Sequence, residues 1–547
     1  MRHYDVLVIG SGPAGQKAAI QAGKLGKRVA IVERDSWLGG VALHTGTIPS
    51  KALREAILHL TGAGRRGLIG EMIEARRQIT MGELIGASRQ LILHERDIVL
   101  HQLLRNGIDV IEGHACFDSP RQVTVTTGGP GDQAHRTERV TADHFVIAIG
   151  TQPAMPEHVP FTDRRVFTSD GLLNLEKLPK SMIVVGGGVI GTEYACMMAT
   201  LGVKVTLVEG RRQVLGFLDE EIAEAFQYHM RQAGITLRLG EKVRDIRIIG
   251  PDDPDFPEQA VRGARRAAAA SAGMVTPETE RRAAAINTPV APDTVEEDGE
   301  HLSDDHVHAS GPHRPGHLLQ APESEPAPDP RLVQATLESG KKLRAASLLY
   351  AVGRQGTTSG ICPEKAGLIA DDRERLKVNE NYQTNVPHIY AVGDVIGFPA
   401  LASTAMEQGR LAACHMFGVE AHSFPELFPY GIYAIPEISM VGKTEEHLTE
   451  AGVPYESGIA NYREIARGQL LGDETGMLKL LVHQETREIL GVHCIGTGAT
   501  ELIHIGQCAM AMGGKVEFFA NNVFNYPTLA EAYRVAALNA LNKLRNV

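Results

Sequence analysis

The chain has 547 residues, 43% of them hydrophobic and 22% charged, an ordinary globular balance that excludes a fibrous or wholly disordered protein. Its net charge of −11 is unevenly placed: residues 251–330 hold 16 acids and 6 arginines, so the rest of the chain sums to −1 and offers no basic stripe for nucleic acid. The length fits roughly three or four domains, no run reaches the ~18 apolar residues of a membrane span, and MRHYDVLVIGSG enters a strand pattern with no secretory h-region, so a cytoplasmic protein with no membrane partner is expected.

The first predicted element is the hydrophobic strand of YDVLVIGSGPAG (4–15), followed by the helix QKAAIQAGKLG (16–26) and a second strand, RVAIVER (28–34). Gly10, Gly12 and Gly15 spell G-x-G-x-x-G across the turn, with Pro13 and Ala14 between the last two. The first glycine permits the tight turn, the second lets the backbone approach a pyrophosphate, and the third lets the helix pack on the strand. The helix N-terminus favours phosphate charge. Glu33 lies 23 residues after Gly10, where a carboxylate accepts hydrogen bonds from ribose hydroxyls, and Arg34 follows it. A glycine triplet alone is common. The strand before it, the helix after it and the acid at this distance together mark a dinucleotide site.

Next comes LGGVALHTGTIPSKAL (38–53), which contains Gly39, Gly40, Val41, Ala42, Thr47 and Lys51. On its own Lys51 reads as an exposed helix lysine. Ala115 precedes the first cysteine, and the hydrophobic strand HFVIAIGTQP (144–153) ends at Gly150. The pattern then repeats. SMIVVGGGVIG (181–191) carries Gly186, Gly188, Val189, Ile190 and Gly191, the helix TEYACMMATLG (192–202) carries Glu193, and KVTLVEG (204–210) ends at Glu209, again 23 residues from the first glycine. Arg211 and Arg212 follow. A carboxylate at Glu209 favours an unphosphorylated ribose, whereas the arginines suit a 2′-phosphate; a solvated turn is the plain alternative for them.

Residues 251–330 hold 12 of the 28 prolines and a single aromatic, Phe256. Such a stretch cannot offset its chain entropy by burial. It is expected to project from a hairpin-like turn between strands in KVRDIRII (242–249) and LVQATLES (332–339), where a long insertion costs little closure entropy. Its histidines, His301, His306, His308, His313 and His317, read as unliganded linker residues, so no metal is expected. The strand SLLYAVGRQG (347–356) with Gly353 closes the second unit. HIYAVGDVIGFPALASTAMEQGRLAA (388–413) contains Gly393, Asp394 and a helix starting near Ala402. The last 120 or so residues read as a separate α+β unit with strands MLKLLVH (477–483) and EILGVHCIG (488–496). The six cysteines, Cys116, Cys196, Cys362, Cys414, Cys494 and Cys508, are nowhere closer than 14 residues. That spacing excludes C-x-x-C; no disulfide framework is expected, and most are taken as small buried apolar residues.

These motifs resemble the flavoprotein disulfide reductases, the family of dihydrolipoamide dehydrogenase and glutathione reductase, over the whole chain except 251–330. The resemblance implies an α/β fold with two nested Rossmann-like dinucleotide-binding domains and a C-terminal α+β dimerisation domain. It sets an FAD-binding domain at 1–155, an NAD(P)-binding domain at 156–353 interrupted by 251–330, a central FAD-contacting segment at 354–425 and an interface domain at 426–547. It also implies that Lys51 lies near flavin N5 and pairs with Glu193, and that Asp394 bonds the ribityl chain. The family hallmark GGxCxxxxCIPSK carries a redox disulfide, but here its two cysteine positions are Ala42 and Thr47. Neither forms a thiolate, so no dithiol relay is expected. The family's C-terminal His-Pro-x-x-x-Glu is represented by FNYPTLAEAYR (524–534), with Tyr526 in place of the histidine and Glu531 retained; a neutral phenol is a poor base at pH 7, since its pKa is about 10.

GTIPSKALR (46–54), GIYAIPEISMVGKTE (431–445) and FNYPTLAEAYRVAALN (524–539) narrow the resemblance to the soluble, Si-specific pyridine nucleotide transhydrogenases. That group also has threonine and tyrosine at the second cysteine and histidine positions, but usually keeps the first cysteine, where this chain has Ala42. The resemblance implies FAD as cofactor, NAD(H) and NADP(H) as substrates, ping-pong transfer of hydride from NADPH to NAD⁺ and back, and a homodimer in which Tyr526 and Glu531 complete the partner's site. Two other readings stand beside it: an NAD(P)H:quinone or dye reductase of the same fold, and a non-catalytic flavoprotein scaffold or redox sensor.

Overall fold

In the computed structural model, residues 2–35, 37–62, 81–128, 136–257, 329–421 and 427–545 are described. The aliphatic run Val6–Ile9 ends strand β1 (Arg2–Ile9) and is buried; burial on both faces is what a continuous apolar run implies for a central parallel strand. Helix α1 (Pro13–Lys24) opens with proline in its first turn and is followed by β2 (Val29–Glu33). Helices α2 (Gly40–His44), α3 (Thr47–Thr61) and α4 (Met81–Arg105) come next, then β3 (Asp109–Glu112), β4 (His114–Ser119), β5 (Gln122–Thr127) and β6 (Arg136–Ile147). The sheet order is β3-β2-β1-β6-β5-β4. Strand β1 pairs in parallel with β2 (Val6 opposite Val29) and with β6 (Val8 opposite Val146), while β4 and β5 return antiparallel.

The second module repeats this plan. After β7 (Thr151–Pro153), β8 (Val166–Phe167) and α5 (Ser169–Leu172) come β9 (Ser181–Val185), α6 (Val189–Thr200), β10 (Lys204–Glu209), α7 (Glu220–Gln232) and β11 (Thr236–Leu239). Strands β12 (Val243–Ile249), β13 (Leu332–Leu337) and β14 (Lys342–Ala345) are neighbours in a three-stranded sheet, and β15 (Ser347–Tyr350) returns to the main sheet, ordered β11-β10-β9-β15-β8. The flanks of the acidic insertion are therefore strands of one sheet, as expected. Residues 258–328, with all five of the histidines named above, lie outside the described residues. Strand β16 (Arg354–Gly356) pairs with β7, β17 (Ile389–Ala391) joins β6, and helix α8 begins at Ala402 and runs to Met416.

The C-terminal part is an antiparallel sheet of β18 (Tyr430–Ile432), β19 (Ile438–Gly442), β20 (Tyr455–Asn461), β21 (Met477–His483) and β22 (Ile489–Ile495), ordered β18-β19-β22-β21-β20. The helices Ala499–Ala511 and Glu531–Leu544 cover it, with Tyr462, Phe519 and Tyr533 buried in between. No described helix is long and apolar enough to cross a membrane.

The cysteine expectation is corrected. Cys116 and Cys362 form a disulfide, although 246 residues separate them. Cys196, Cys414 and Cys494 are buried as expected, whereas Cys508 is exposed. Spacing along the chain carries no information about two residues that the tertiary fold brings to a Cα separation of 5.3 Å.

Candidate functional site

In both sheets the order of connection reverses, between β1 and β6 in the first and between β9 and β15 in the second, and crevices at the carboxyl ends of strands form at such switch points. The larger cleft, about 850 Å³, is bounded by the ends of β1, β2 and β6 and by Gly393–Asp394; that volume lies in the range of cofactor sites. Gly10 has φ near 100°, and a Cβ there would strike the carbonyl of Ala148, so the turn admits only glycine. A Cβ on Gly15 would strike Gly10 itself, while the space over Gly12 is open for 4 Å. The amides of the first turn of α1 have no side-chain cap, which leaves donors for an anion at a twelve-residue helix. Glu33 Oε2 accepts the Ser11 amide at 2.9 Å and its hydroxyl at 2.6 Å; Oε1 accepts the Asp35 amide at 3.2 Å and keeps a lone pair for a ligand hydroxyl. The residues present therefore fit a dinucleotide with a pyrophosphate and a ribose.

Pro13, Ala14, Arg34, Gly40, Val41, Ala42, Thr47, Ala115, Gly150 and Ala402 line the same cleft. Gly39 stands just behind it, its amide donating to Ser11 Oγ at 2.9 Å. Helix α8 crosses α1 so closely that a Cβ on Gly409 would strike Ala14, and this contact sets the α8 N-terminus at the cleft. Gln408 accepts the Gly393 amide at 2.8 Å. Asp394 sits among groups the sequence did not single out: Arg354 Nε donates to Thr151 Oγ1 at 2.8 Å, and that hydroxyl donates to Asp394 at 3.4 Å. Burial raises the Asp394 carboxyl above the ordinary range, against the opposing pull of Arg354 and Thr151. Arg354 follows Gly353 directly, so a cation after the strand-closing glycine was a usable signal.

Lys51 lies one turn into α3 from Thr47. Its ammonium donates to both oxygens of Glu193 at 2.9 and 2.8 Å, with side-chain exposures of 24% and 4%. Glu193 also accepts the Tyr433 amide at 2.8 Å, and the ammonium lies 4.8 Å above the Tyr433 ring. Arg54, one turn further along α3, is buried and donates to the Ala434 carbonyl at 3.0 Å and to Glu437 at 3.0 Å. The family-implied pair is thus formed, held by the connection between β18 and β19 that carries Tyr433, Ala434 and Glu437, an approach that sequence reasoning missed.

The second cleft, about 300 Å³, opens beyond β9, β10 and β15 and is lined by Gly186, Glu209, Gly210, Lys242, Tyr350 and Val352 among others. Gly186 and Gly191 repeat the close contacts of Gly10 and Gly15, and the space over Gly188 is again open. Val189 and Ile190 begin α6. Burial alone would raise the Glu209 carboxyl, but bonds from the Arg211 side chain and from the Arg211 and Gly187 amides outweigh it and hold the group below the usual carboxylate range. The distances are 3.0 and 3.2 Å to the guanidinium, 2.9 Å to the Arg211 amide and 2.6 Å to the Gly187 amide. Arg212 is exposed and Gly353 has φ near 80°; neither lines this cleft. Tyr526 is 73% exposed, and Glu531 Oε2 is buried without a hydrogen-bond partner among the described residues. Neither residue lines either cleft.

The sequence profile of the pyridine nucleotide-disulphide oxidoreductases matches residues 4–259 and 320–409, and that of their dimerisation domain matches 428–537. The chain is 46% identical over 546 residues to the soluble pyridine nucleotide transhydrogenase of Mycobacterium tuberculosis (strain ATCC 25177 / H37Ra), covering 100% of this chain and 98% of that protein. It is 38% identical to the protein of the same description from Hahella chejuensis, covering 99% of each. Among solved structures, the HOCl-induced flavoprotein disulfide reductase RclA from Escherichia coli shares the fold at TM-score 0.74 and 23% identity, over 98% of this chain and 99% of that one. LpdA from Mycobacterium tuberculosis does so at TM-score 0.75 and 22% identity, over 98% and 99%. The chain belongs to the pyridine nucleotide-disulphide oxidoreductase family, in the branch of the soluble pyridine nucleotide transhydrogenases.

Proposed function

We propose that the protein is a Si-specific, FAD-dependent transhydrogenase that exchanges hydride between NADPH and NAD⁺. The observation that carries this is the first cleft: its phosphate turn is intact while Ala42 and Thr47 line it where disulfide reductases carry their redox cysteines. Gly10, Gly12, Gly15, Glu33 and Asp394 would hold FAD there, which supplies a two-electron hydride acceptor and donor. We assign FAD binding to 1–155 and the central segment 354–425, nucleotide binding to 156–353 and the dimer contact to 426–547. Gly186, Gly188, Gly191 and Glu209 bind the adenosine-diphosphate part of either nucleotide. With this one nucleotide cleft among the described residues, the two nucleotides take turns, the first leaving before the second enters. Lys51, fixed by Glu193 and Tyr433, presents a constant positive charge beside Thr47, so no side chain has to reorganise as charge shifts in the reaction. Nothing in this scheme needs a thiolate or a general base. The dimerisation-domain match supports a homodimer, in which Tyr526 and Glu531 complete the partner's site; the relatives' description as soluble supports a cytoplasmic location.

The test is purified protein. It should be yellow, should couple NADPH oxidation to reduction of an NAD⁺ analogue, and should turn over neither lipoamide nor glutathione disulfide. Brisk turnover of either disulfide, or quinone reduction faster by orders of magnitude, overturns the reading.

Arg211 tests nucleotide choice. Its guanidinium neutralises Glu209 and so removes the repulsion a bare carboxylate exerts on a 2′-phosphate. In Arg211→Ala the KM for NADPH should rise about tenfold, the worth of one charge-assisted hydrogen bond, with a smaller change for NADH. Equal changes for the two nucleotides would show that Arg211 does not select between them.

A further inference from the structure

Neither Cys116 nor Cys362 lines the first cleft, but the position of their disulfide couples it to that cleft. Cys116 follows Ala115 on β4, and Cys362 follows Ile361 at the junction of the 3₁₀ turns Thr358–Ile361 and Pro363–Ala366. Ala115 and Ile361 both line the first cleft, as do their neighbours His114 and Gly360. The bond therefore joins two walls of one cleft that are far apart in sequence. The polar ties of the 3₁₀ wall run elsewhere. Thr358 Oγ1 donates to the Glu374 carbonyl at 3.2 Å, and the Ser359 amide to Glu374 Oε2 at 3.0 Å. Against β4 the wall has apolar packing, Ile361 sharing one buried core with Ala115 and Phe117, and the disulfide. Neither cysteine is fully buried.

We propose that Cys116 and Cys362 form a reversible redox clasp that holds the FAD cleft closed when oxidised and lets the 358–361 wall part from β4 when reduced. The oxidant is a low-molecular-weight disulfide. One cysteine thiolate attacks a sulfur of that disulfide, forming a mixed disulfide and releasing one small thiol; the second cysteine then displaces the other small thiol, and the Cys116–Cys362 bond forms. Two protein thiols are oxidised and one small disulfide is reduced to two thiols, with no net proton change. Excess small thiol runs the sequence backwards. A loop fixed in its bound conformation binds with less ordering cost, so the clasp tunes FAD retention without touching the reacting centre. The proposal rests on the first cleft being the FAD site.

The test uses the full-length, FAD-loaded protein. After treatment with oxidised glutathione, a non-reducing peptide map should link the Cys116 peptide to the Cys362 peptide; after reductant and its removal, that link should be gone. FAD release, followed by the fluorescence of the freed cofactor, should be about tenfold faster from the reduced form, the effect of losing one unit of preorganisation. The C116S/C362S double variant should release FAD at the reduced rate whatever the treatment. If that variant fails to fold, the two forms of the unaltered protein still decide the matter. Absence of the linked peptide after oxidation, or equal release rates from the two forms, overturns the clasp. A colourless protein that nonetheless yields the linked peptide overturns the FAD assignment instead, and the clasp with it.

Discussion

A Lys51→Met protein is expected to retain FAD and lose transhydrogenation by about 10²–10³-fold, the effect of removing one preorganised electrostatic group from a reacting site. The variant removes the cation that both oxygens of Glu193 contact at 2.8–2.9 Å. It leaves a carboxylate whose side chain is 4% exposed with the Tyr433 amide as its remaining donor at 2.8 Å. An uncompensated buried charge costs about 3 kcal/mol or more, so stability falls too. The double variant Lys51→Met/Glu193→Gln separates the two effects: the neutral amide restores stability, and the rate stays low. Steady-state transfer from NADPH to an NAD⁺ analogue, with FAD content read from absorbance and stability from thermal unfolding, checks both. A Lys51→Met enzyme at full rate would reduce the pair to a strut.

The second large effect is in stability. Lys479 on β21 is 1% exposed and reaches Asp219 at 2.7 Å, Glu221 at 2.9 Å and Glu445 at 2.9 Å. Asp219 and Glu221 stand at the start of α7 in the second module, so this cluster ties that module to the C-terminal sheet. Lys479→Met strands the buried Asp219 carboxylate and is expected to lose about 3–5 kcal/mol, seen as a lower thermal midpoint. Asp219→Asn in the same background should return part of it. The cluster also sets an acid limit. Burial pushes the Asp219 carboxyl up, but His493, Lys479 and the Glu445 amide outweigh it and hold the group below its ordinary value. A carboxyl depressed on folding contributes stability that is fully present above its unfolded pKa of about 3.9 and is lost as pH falls through the folded value. The unaltered protein should therefore lose stability below about pH 4 more steeply than the Lys479→Met/Asp219→Asn double variant. Parallel acid profiles would contradict this role for Asp219.

Much of the fold could be read along the chain. Helix α8 begins at Ala402 and β21 spans Met477–His483, both as expected. Both glycine turns and both terminal acids occupy the predicted places because a strand, a tight turn and a helix are neighbours in sequence, and hydrophobic period and turn chemistry act over such short separations. The loss of the family's two hallmark cysteines was likewise legible, because Ala42 and Thr47 carry no sulfur in any conformation.

Other features depended on where distant segments meet. Thr151 and Arg354 are 203 residues apart, Glu193 and Tyr433 are 240 apart, and Asp219 and Lys479 are 260 apart. Each contact forms only after sheets and modules have packed, and composition assigns no partner over such distances. The same holds for the cysteines: spacing excluded a local motif but was silent on Cys116 meeting Cys362 beside the cofactor cleft. Residue chemistry and local order thus set the two dinucleotide turns and the lost thiols. Only tertiary packing chose which buried charges are compensated and which cysteines bond, because burial of a polar or reactive group is favourable only where a distant complementary group arrives to meet it.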